Sequence, residues 1–285
     1  MSELIASPTA DRTLHSAGSP LGQLWWWFVA DAGLTLLWAA NIALLLGGVA
    51  WIAIDPVVSR HIAFEENRLA IAEAMGRTSA AEPISQESAH ARALTIIALS
   101  ALVAVAAMGL SLLLGPRQHR QLRSWLAFTA LVAAWLGLAV AWRDVAWAGQ
   151  RWRISQQVAG VEPLAAALRA EWPRDDGSRV PGLGPYMAYP PGNPRMLLLL
   201  HQVRPKGSSN TISAVERSDA GGLRFELADG DAGAWLEWHP AGQRPASFVG
   251  GLEGAYELVR SSELGDGWYL VRYRPTADGK VQEFH

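Results

Sequence analysis

The 285-residue chain is 50% hydrophobic and 18% charged, carries a formal net charge of −2, and contains no cysteine. No global basic field is present for nucleic acid. Disulfides, thiolate metal sites and a cysteine nucleophile are all excluded. The charged share falls below the ~25% of ordinary soluble domains, which points to a chain held partly in lipid.

Residues 1–24 are polar and rich in Ser, Pro and Gly, and read as a disordered tail. They lack the basic n-region and cleavage site of a secretory signal, so the apolar run that follows is expected to stay as an anchor. That run covers about residues 25–54, and two more cover about 94–114 and 125–142. Each approaches the ~20 residues that carry a helix across a ~30 Å hydrocarbon core. The expected architecture is a bundle of three transmembrane helices over residues 25–158, followed by a small soluble α+β domain over 159–275 and a tail over 276–285.

Eight of the fourteen tryptophans, Trp25, Trp26, Trp27, Trp51, Trp125, Trp142, Trp147 and Trp152, lie at or just beyond the ends of these runs. Indole rings favour the headgroup level, so membrane anchoring is their expected role. Small residues recur at spacings of three and four: Ala40, Ala43, Gly47 and Ala50; Ser100, Ala104, Ala107 and Ser111; Ala127, Ala130, Ala134, Gly137 and Ala141. Such stripes let helices approach closely in lipid, and they are expected to face one another inside the bundle.

Two polar residues fall inside the first run. A carboxylate there needs a partner, and the short connector between the second and third runs supplies Arg117, Arg120 and Arg123. The expectation is that Asp31 pairs with Arg120 or Arg123. A proton relay would need several ionisable groups in series. Asn41 is expected to hydrogen-bond between helices. Residues 55–91 form the longer connector. Pro56 suits the opening of a helix, and Ser85 followed by Glu87 suits a capped start into the second run, so a helical hairpin is expected. His61 and His90 lie on it, without the ligand spacing of a metal site.

The basic short connector favours a cytoplasmic amino terminus and an extracytoplasmic carboxy-terminal domain in a cell (inner) membrane, although Arg60, Arg68, Arg143, Arg151 and Arg153 weigh the other way. Extension of the third helix past the lipid would remove Arg151 and Arg153 from that balance.

Beyond Trp142, Arg143–Val158 is expected to continue the third helix or to lie as an interfacial helix, followed by an interruption at Gly160 and a short helix opening at Pro163. About six antiparallel strands follow. Met196–Val203, Thr211–Arg217, Gly222–Leu227, Ala234–His239, Ala255–Arg260 and Trp268–Arg274 are separated by turn sequences. Leu223, Phe225 and Leu227 alternate with Arg224 and Glu226, as one buried face requires. The Pro-flanked stretch 185–194 reads as a loop whose Tyr186 and Tyr189 are recognition candidates.

Catalytic signatures are absent. Ser208 and Ser209 have no nucleophile elbow around them. Residues 229–231 read as a turn rather than a calcium loop. Glu237 and His239 are two apart on one strand face and are expected to form a hydrogen-bonded surface pair. The expectation is therefore an integral membrane protein without enzymatic activity, cofactor or metal. Its partners are the bilayer and either another protein or further copies of itself, not nucleic acid. A membrane-anchored enzyme and a transport subunit are the alternatives.

Overall fold

The computed structural model describes residues 20–64, 85–114, 121–177, 180–228, 231, 233–250, 252 and 254–276; side chains of 20–32, 85–91, 93 and 94 are not among those described. The 1–24 tail up to residue 19, most of the 55–91 hairpin and the 277–285 tail lie outside this set.

Three long apolar helices come first: α1 (Pro20–Ile54), α3 (Ser85–Leu114) and α4 (Leu122–Ser155). Within them Gly33–Ile54, Thr95–Leu114 and Leu122–Ser155 are long and apolar enough to cross a membrane. A further helix, α2, starts at residue 56 and is described to residue 64. Its start has a local cause. The Val57 N–H donates to Asp55 Oδ1 at 2.9 Å, which makes Asp55 the N-cap and Pro56 the first helical residue. Asp55 Oδ2 also accepts the Trp51 indole N–H at 2.9 Å and ties the turn to the end of α1.

Two of the three small-residue stripes do not pack as expected, whereas on α3 Ala104, Ala107 and Ser111 are half-buried. Ala40, Ala43, Gly47 and Ala50 on α1 face outward, as do Ala127, Ala130, Ala134 and Gly137 on α4. Asn41, Gly48 and Ile52 face inward on α1, and Leu131, with Trp135 and Leu138 half-buried, does so on α4. On α3 the buried positions are Ala101, Met108 and Leu112. Bulky side chains fill this bundle, set against a few small positions such as Gly48, which faces Leu138, and Gly109, which faces Phe128. Small residues permit close approach, but they do not dictate which face is turned inward.

At 34 residues, α4 is ~51 Å long, well beyond the ~30 Å of a hydrocarbon core. Its last three turns stand clear of the apolar band and become the spine of the second half. Trp147, Gln150 and Ile154 are buried there against the sheet domain. Trp147 was expected at the lipid surface. Instead it is 4% exposed, donates to Ser262 Oγ at 2.8 Å, and its ring centroid lies 5.1 Å from the guanidinium carbon of Arg260 and of Arg272. Trp152 is 60% exposed.

The chain then turns at residues 156–157 into α5 (Val158–Ala170). Gly160 lies inside this helix rather than interrupting it, and Pro163 falls in its second turn. An eight-stranded antiparallel sheet follows: β1 (Tyr186–Tyr189), β2 (Met196–Val203), β3 (Thr211–Arg217), β4 (Leu223–Ala228), β5 (Ala234–Trp238), β6 (Phe248–Val249), β7 (Ala255–Gly265) and β8 (Trp268–Thr276). Their order across the sheet is β1-β2-β3-β4-β5-β8-β7-β6. The expected count of about six is thus corrected to eight strands, and the described residues form five helices.

One sheet face packs against α4 and α5. Its core includes Leu197, Val215, Phe225, Leu236, Trp268 and Leu270 from the strands and Ile154, Leu164 and Leu168 from the helices. Both sheet edges are blunted. The Ala188 N–H on β1 donates to Asp176 at 2.7 Å, while β6 at the other edge is two residues long.

Candidate functional site

The second sheet face is organised by strand register. Reading across the strands, Tyr189 pairs with Met196, Met196 with Glu216, Glu216 with Arg224, Arg224 with Glu237, and Glu237 with Tyr269. Side chains directly opposite on one face interact, so Glu216, Arg224 and Glu237 form a negative–positive–negative row. This row is not left open to solvent. A bulge between Leu258 and Arg260 re-aims β7, so that Tyr256 and Leu258 join this face while Ser262 and Leu264 serve the other. The sheet curls until Phe248 of β6 lies over Arg224 of β4, 3.7 Å from guanidinium carbon to ring centroid. Trp235, Phe248, Tyr256 and Tyr273 close the space as an aromatic cluster.

Glu237 sits at the centre with 0% exposure. Its Oε1 accepts the Tyr273 hydroxyl at 2.8 Å and lies 3.4 Å from Arg224 Nε. Its Oε2 is 2.7 Å from His239 Nε2. Burial, and then the Glu237 charge, push the Tyr273 phenol well above its ordinary range. Burial, followed by Glu226 and Glu216, also raises the Tyr256 phenol. The expected Glu237–His239 hydrogen bond is present, but the pair is buried rather than on the surface. Alternation places Arg224 opposite the helix-packed core; the curl of β6 over it is a tertiary event with no local signal.

A second polar cluster joins the helices to the sheet. Arg153 near the end of α4 reaches the Asp231 carboxylate at 2.7 Å and Ser59 Oγ of α2 at 3.1 Å, and also donates to the Ala53 carbonyl of α1. Asn210 donates to Asp231 Oδ2 at 2.9 Å and accepts the Asp231 N–H at 3.0 Å. Gln157, in the turn after α4, accepts from Asn210 at 3.2 Å and from Ser208 at 2.6 Å, and donates to Ser209 at 3.0 Å. Ser208 and Ser209, noticed in the sequence for their hydroxyls, are structural here. Asp231 is a buried anion that joins two parts of the molecule. Its reading as part of a turn missed this, because its partner lies 78 residues earlier.

The remaining expected site residues are scattered. Asn41 is fully buried in the bundle, and its Nδ2 donates to the Leu37 carbonyl of its own helix at 2.9 Å. That bond lies within α1, and Oδ1 has no hydrogen-bond partner among the described residues. Arg123 is exposed in the first turn of α4. Arg120 and the Asp31 side chain lie outside the described residues, and with them the expected Asp31 pairing. Tyr186 and Tyr189 belong to strand β1, not to a loop. Tyr186 is 3% exposed in the helix-packed core, and Tyr189 is 37% exposed on the other face. Among the described residues no three His, Asp or Glu side chains are grouped to hold a metal ion.

No family model, no curated protein and no solved structure matches this chain.

Proposed function

We propose that this protein is a non-enzymatic integral membrane protein that presents its sheet domain at a fixed position on the bilayer surface for binding or complex assembly. The observation that carries the reading is the buried Arg153–Asp231 pair, with side chains 12% and 1% exposed. Through it α1, α2, α4 and the sheet domain form one unit, without a flexible linker. A catalytic domain needs only a tether, whereas a docking platform benefits from a fixed height and orientation. The surface on offer lies at the β1–β2 end of the sheet. Met187 and Leu200 are 49% and 56% exposed, and Leu198, the cross-strand partner of Met187, is half-buried beside them. The expected placement has the amino terminus in the cytoplasm and the domain outside it.

Two experiments test this reading. Alkaline phosphatase fused at His285 is expected to be active, and a green fluorescent protein fusion there dark; the opposite result reverses the placement. A photo-crosslinker at Met187, used in intact membranes, is expected to give one defined protein adduct that Leu200→Glu removes without unfolding the domain. The binding reading fails if the adduct is absent or insensitive to Leu200→Glu.

The enzyme reading draws on the carboxylate-oriented imidazole of His239, which is the arrangement of a general base. Against it stand the 0% and 4% exposures of Glu237 and His239. Diethyl pyrocarbonate is expected to leave His239 unmodified in the folded protein. Rapid modification there would favour catalysis.

A further inference from the structure

Helix α4 crosses the sheet along one column of the strand register. Arg260 of β7, Arg272 of β8 and Ala234 of β5 lie side by side in the sheet. Arg260 donates to Asp144 at 2.7 Å and Arg272 to Gln150 at 3.1 Å, and Asp231, in the approach to β5, accepts from Arg153 at 2.7 Å. These contacts climb α4 in the order β7, β8, β5. Ser262 of β7, bonded to Trp147, fits the same order. From Asp144 to Arg153 is ~13.5 Å of helix, and two strand spacings are ~9.6 Å. The strands therefore run across the helix, and the strand order runs along it. The apolar stretch of α4 precedes Asp144, so β7 is the strand nearest the membrane and β1 stands six strand positions farther out.

The helices also fix the level of that strand. On α4 the apolar stretch gives way at Arg143 and Asp144. On α1 it continues to Ile54, which is 59% exposed, and Ala53 lies directly against Gly149. The edge of the hydrocarbon thus falls between the levels of Trp142 and Gly149, ~10.5 Å apart along α4. The polar layer on each side of a hydrocarbon core is ~5–8 Å thick. β7 meets α4 at Asp144 and Trp147, inside this interval. Its outer side is open there. β6 pairs only with Ala255 and Tyr256, and no strand among the described residues pairs with the outer side of Glu257–Gly265. On this stretch Val259 and Arg260 are exposed, as is Arg143 next to Asp144.

We propose that the open edge of β7, Glu257–Gly265, seats in the phospholipid headgroup layer, with Arg143 and Arg260 facing the lipid phosphates and the exposed β1–β2 surface at the far end of the sheet. A second copy of the chain is a poor occupant of this edge. Antiparallel pairing centred on Arg260 would set Arg260 against Arg260 and Glu257 against Glu263, all like charges. The seat rests on insertion of α1 and α4 into a bilayer, but not on what the sheet domain binds.

The test is fluorescence quenching in the full-length protein, reconstituted into phosphatidylcholine vesicles with and without phosphatidylcholine that carries a nitroxide on its headgroup. The chain has no cysteine, so Val259→Cys, Ser261→Cys and Met187→Cys, all at exposed positions, each carry a single fluorophore. The headgroup nitroxide is expected to quench the labels at Val259 and Ser261 and to leave the label at Met187 bright. Labels at Val259 and Ser261 that stay bright, or equal quenching at Met187, overturn the seat. A disulfide-linked dimer formed through Ser261→Cys under mild oxidation would also overturn it, in favour of self-pairing. Val140→Cys, at an exposed position in the apolar stretch of α4, reports insertion separately. Failure of insertion overturns the seat together with the membrane reading, and it alone leaves the Val140 label bright when the nitroxide is on the acyl chain.

Discussion

Replacing Asp231 by alanine tests the junction between helices and sheet most directly. Asp231 is 1% exposed, and its two carboxylate oxygens accept from Arg153 at 2.7 Å and from Asn210 at 2.9 Å. The substitution leaves the Arg153 guanidinium, with a side chain only 12% exposed, facing Ser59 and a backbone carbonyl with no counter-charge among the described residues. Removing one partner of a buried pair costs about 3–5 kcal/mol, because the remaining ion keeps its desolvation penalty. That corresponds to roughly two to three and a half decades in the folding equilibrium of the joined unit. Removing both charges is a different matter: Arg153→Met with Asp231→Leu is expected to cost less than Asp231→Ala alone. Stability is read from denaturant titration in detergent, and the junction from pulsed electron–electron distances. Because the chain has no cysteine, labels at Ala148→Cys and Asp219→Cys report without background. Wild type should give a narrow distribution and Asp231→Ala a broad one. If Asp231→Ala costs under ~1 kcal/mol, the value of an exposed pair, and the distances stay narrow, this reasoning is refuted.

Three further predictions concern single side chains. Tyr273 stays protonated in the folded protein above pH ~10, where the unfolded chain ionises; stability is therefore intact below that pH and falls above it by ~1.4 kcal/mol per pH unit. Tyr273→Phe should flatten this alkaline limb while costing about 1.5–3 kcal/mol at neutral pH for the lost bond to Glu237, measured by denaturant titration across pH. A Cβ at Gly149 would overlap the Ala53 carbonyl, so Gly149→Val should force α1 from α4 and cost about 1–3 kcal/mol or more, seen as a lowered Tm in detergent. Asn41→Leu, by contrast, removes a buried amide whose Oδ1 has no hydrogen-bond partner among the described residues, and should leave Tm unchanged or raise it; a drop of several degrees would show that this amide holds the bundle together.

Local chemistry explains which parts of this structure the sequence made legible. β2 and β3 start and end where the apolar pattern places them, because each is a continuous run bounded by turn residues. β1 was hidden among prolines, and the two residues of β6 carry no periodicity. β7 was expected to stop at Arg260, because the bulge after Leu258 reverses its phase and the remainder, including Ser261, Ser262 and Glu263, is polar. The inward faces of the bundle were misread for another reason. Lipid presses on every face alike, so hydropathy does not mark the buried side, and the large residues Leu131, Met108 and Leu112 decided it. Of the polar centre, the Glu237–His239 bond was local and visible. Its partners Arg224 and Tyr273 come from other strands and were found only through register.

The helix α4 joins these observations, because its two ends lie in different surroundings. Between Leu131 and Leu138 it turns large apolar side chains toward the bundle. One turn past Trp142 the same face meets the end of α1 through Ala146 and Gly149, and the adjoining face meets the sheet through Trp147, Gln150 and Ile154. α4 runs unbroken from Leu122 to Ser155, so rotation or tilt of its first half is expected to be felt at Arg153. There it is resisted by Ala53, Ser59 and Asp231, which belong to α1, α2 and the sheet domain. A flexible tether would absorb such motion. Here the orientation of the sheet follows the helix, so a partner that tilts α4 must either carry the exposed β1–β2 surface with it or break a buried ion pair.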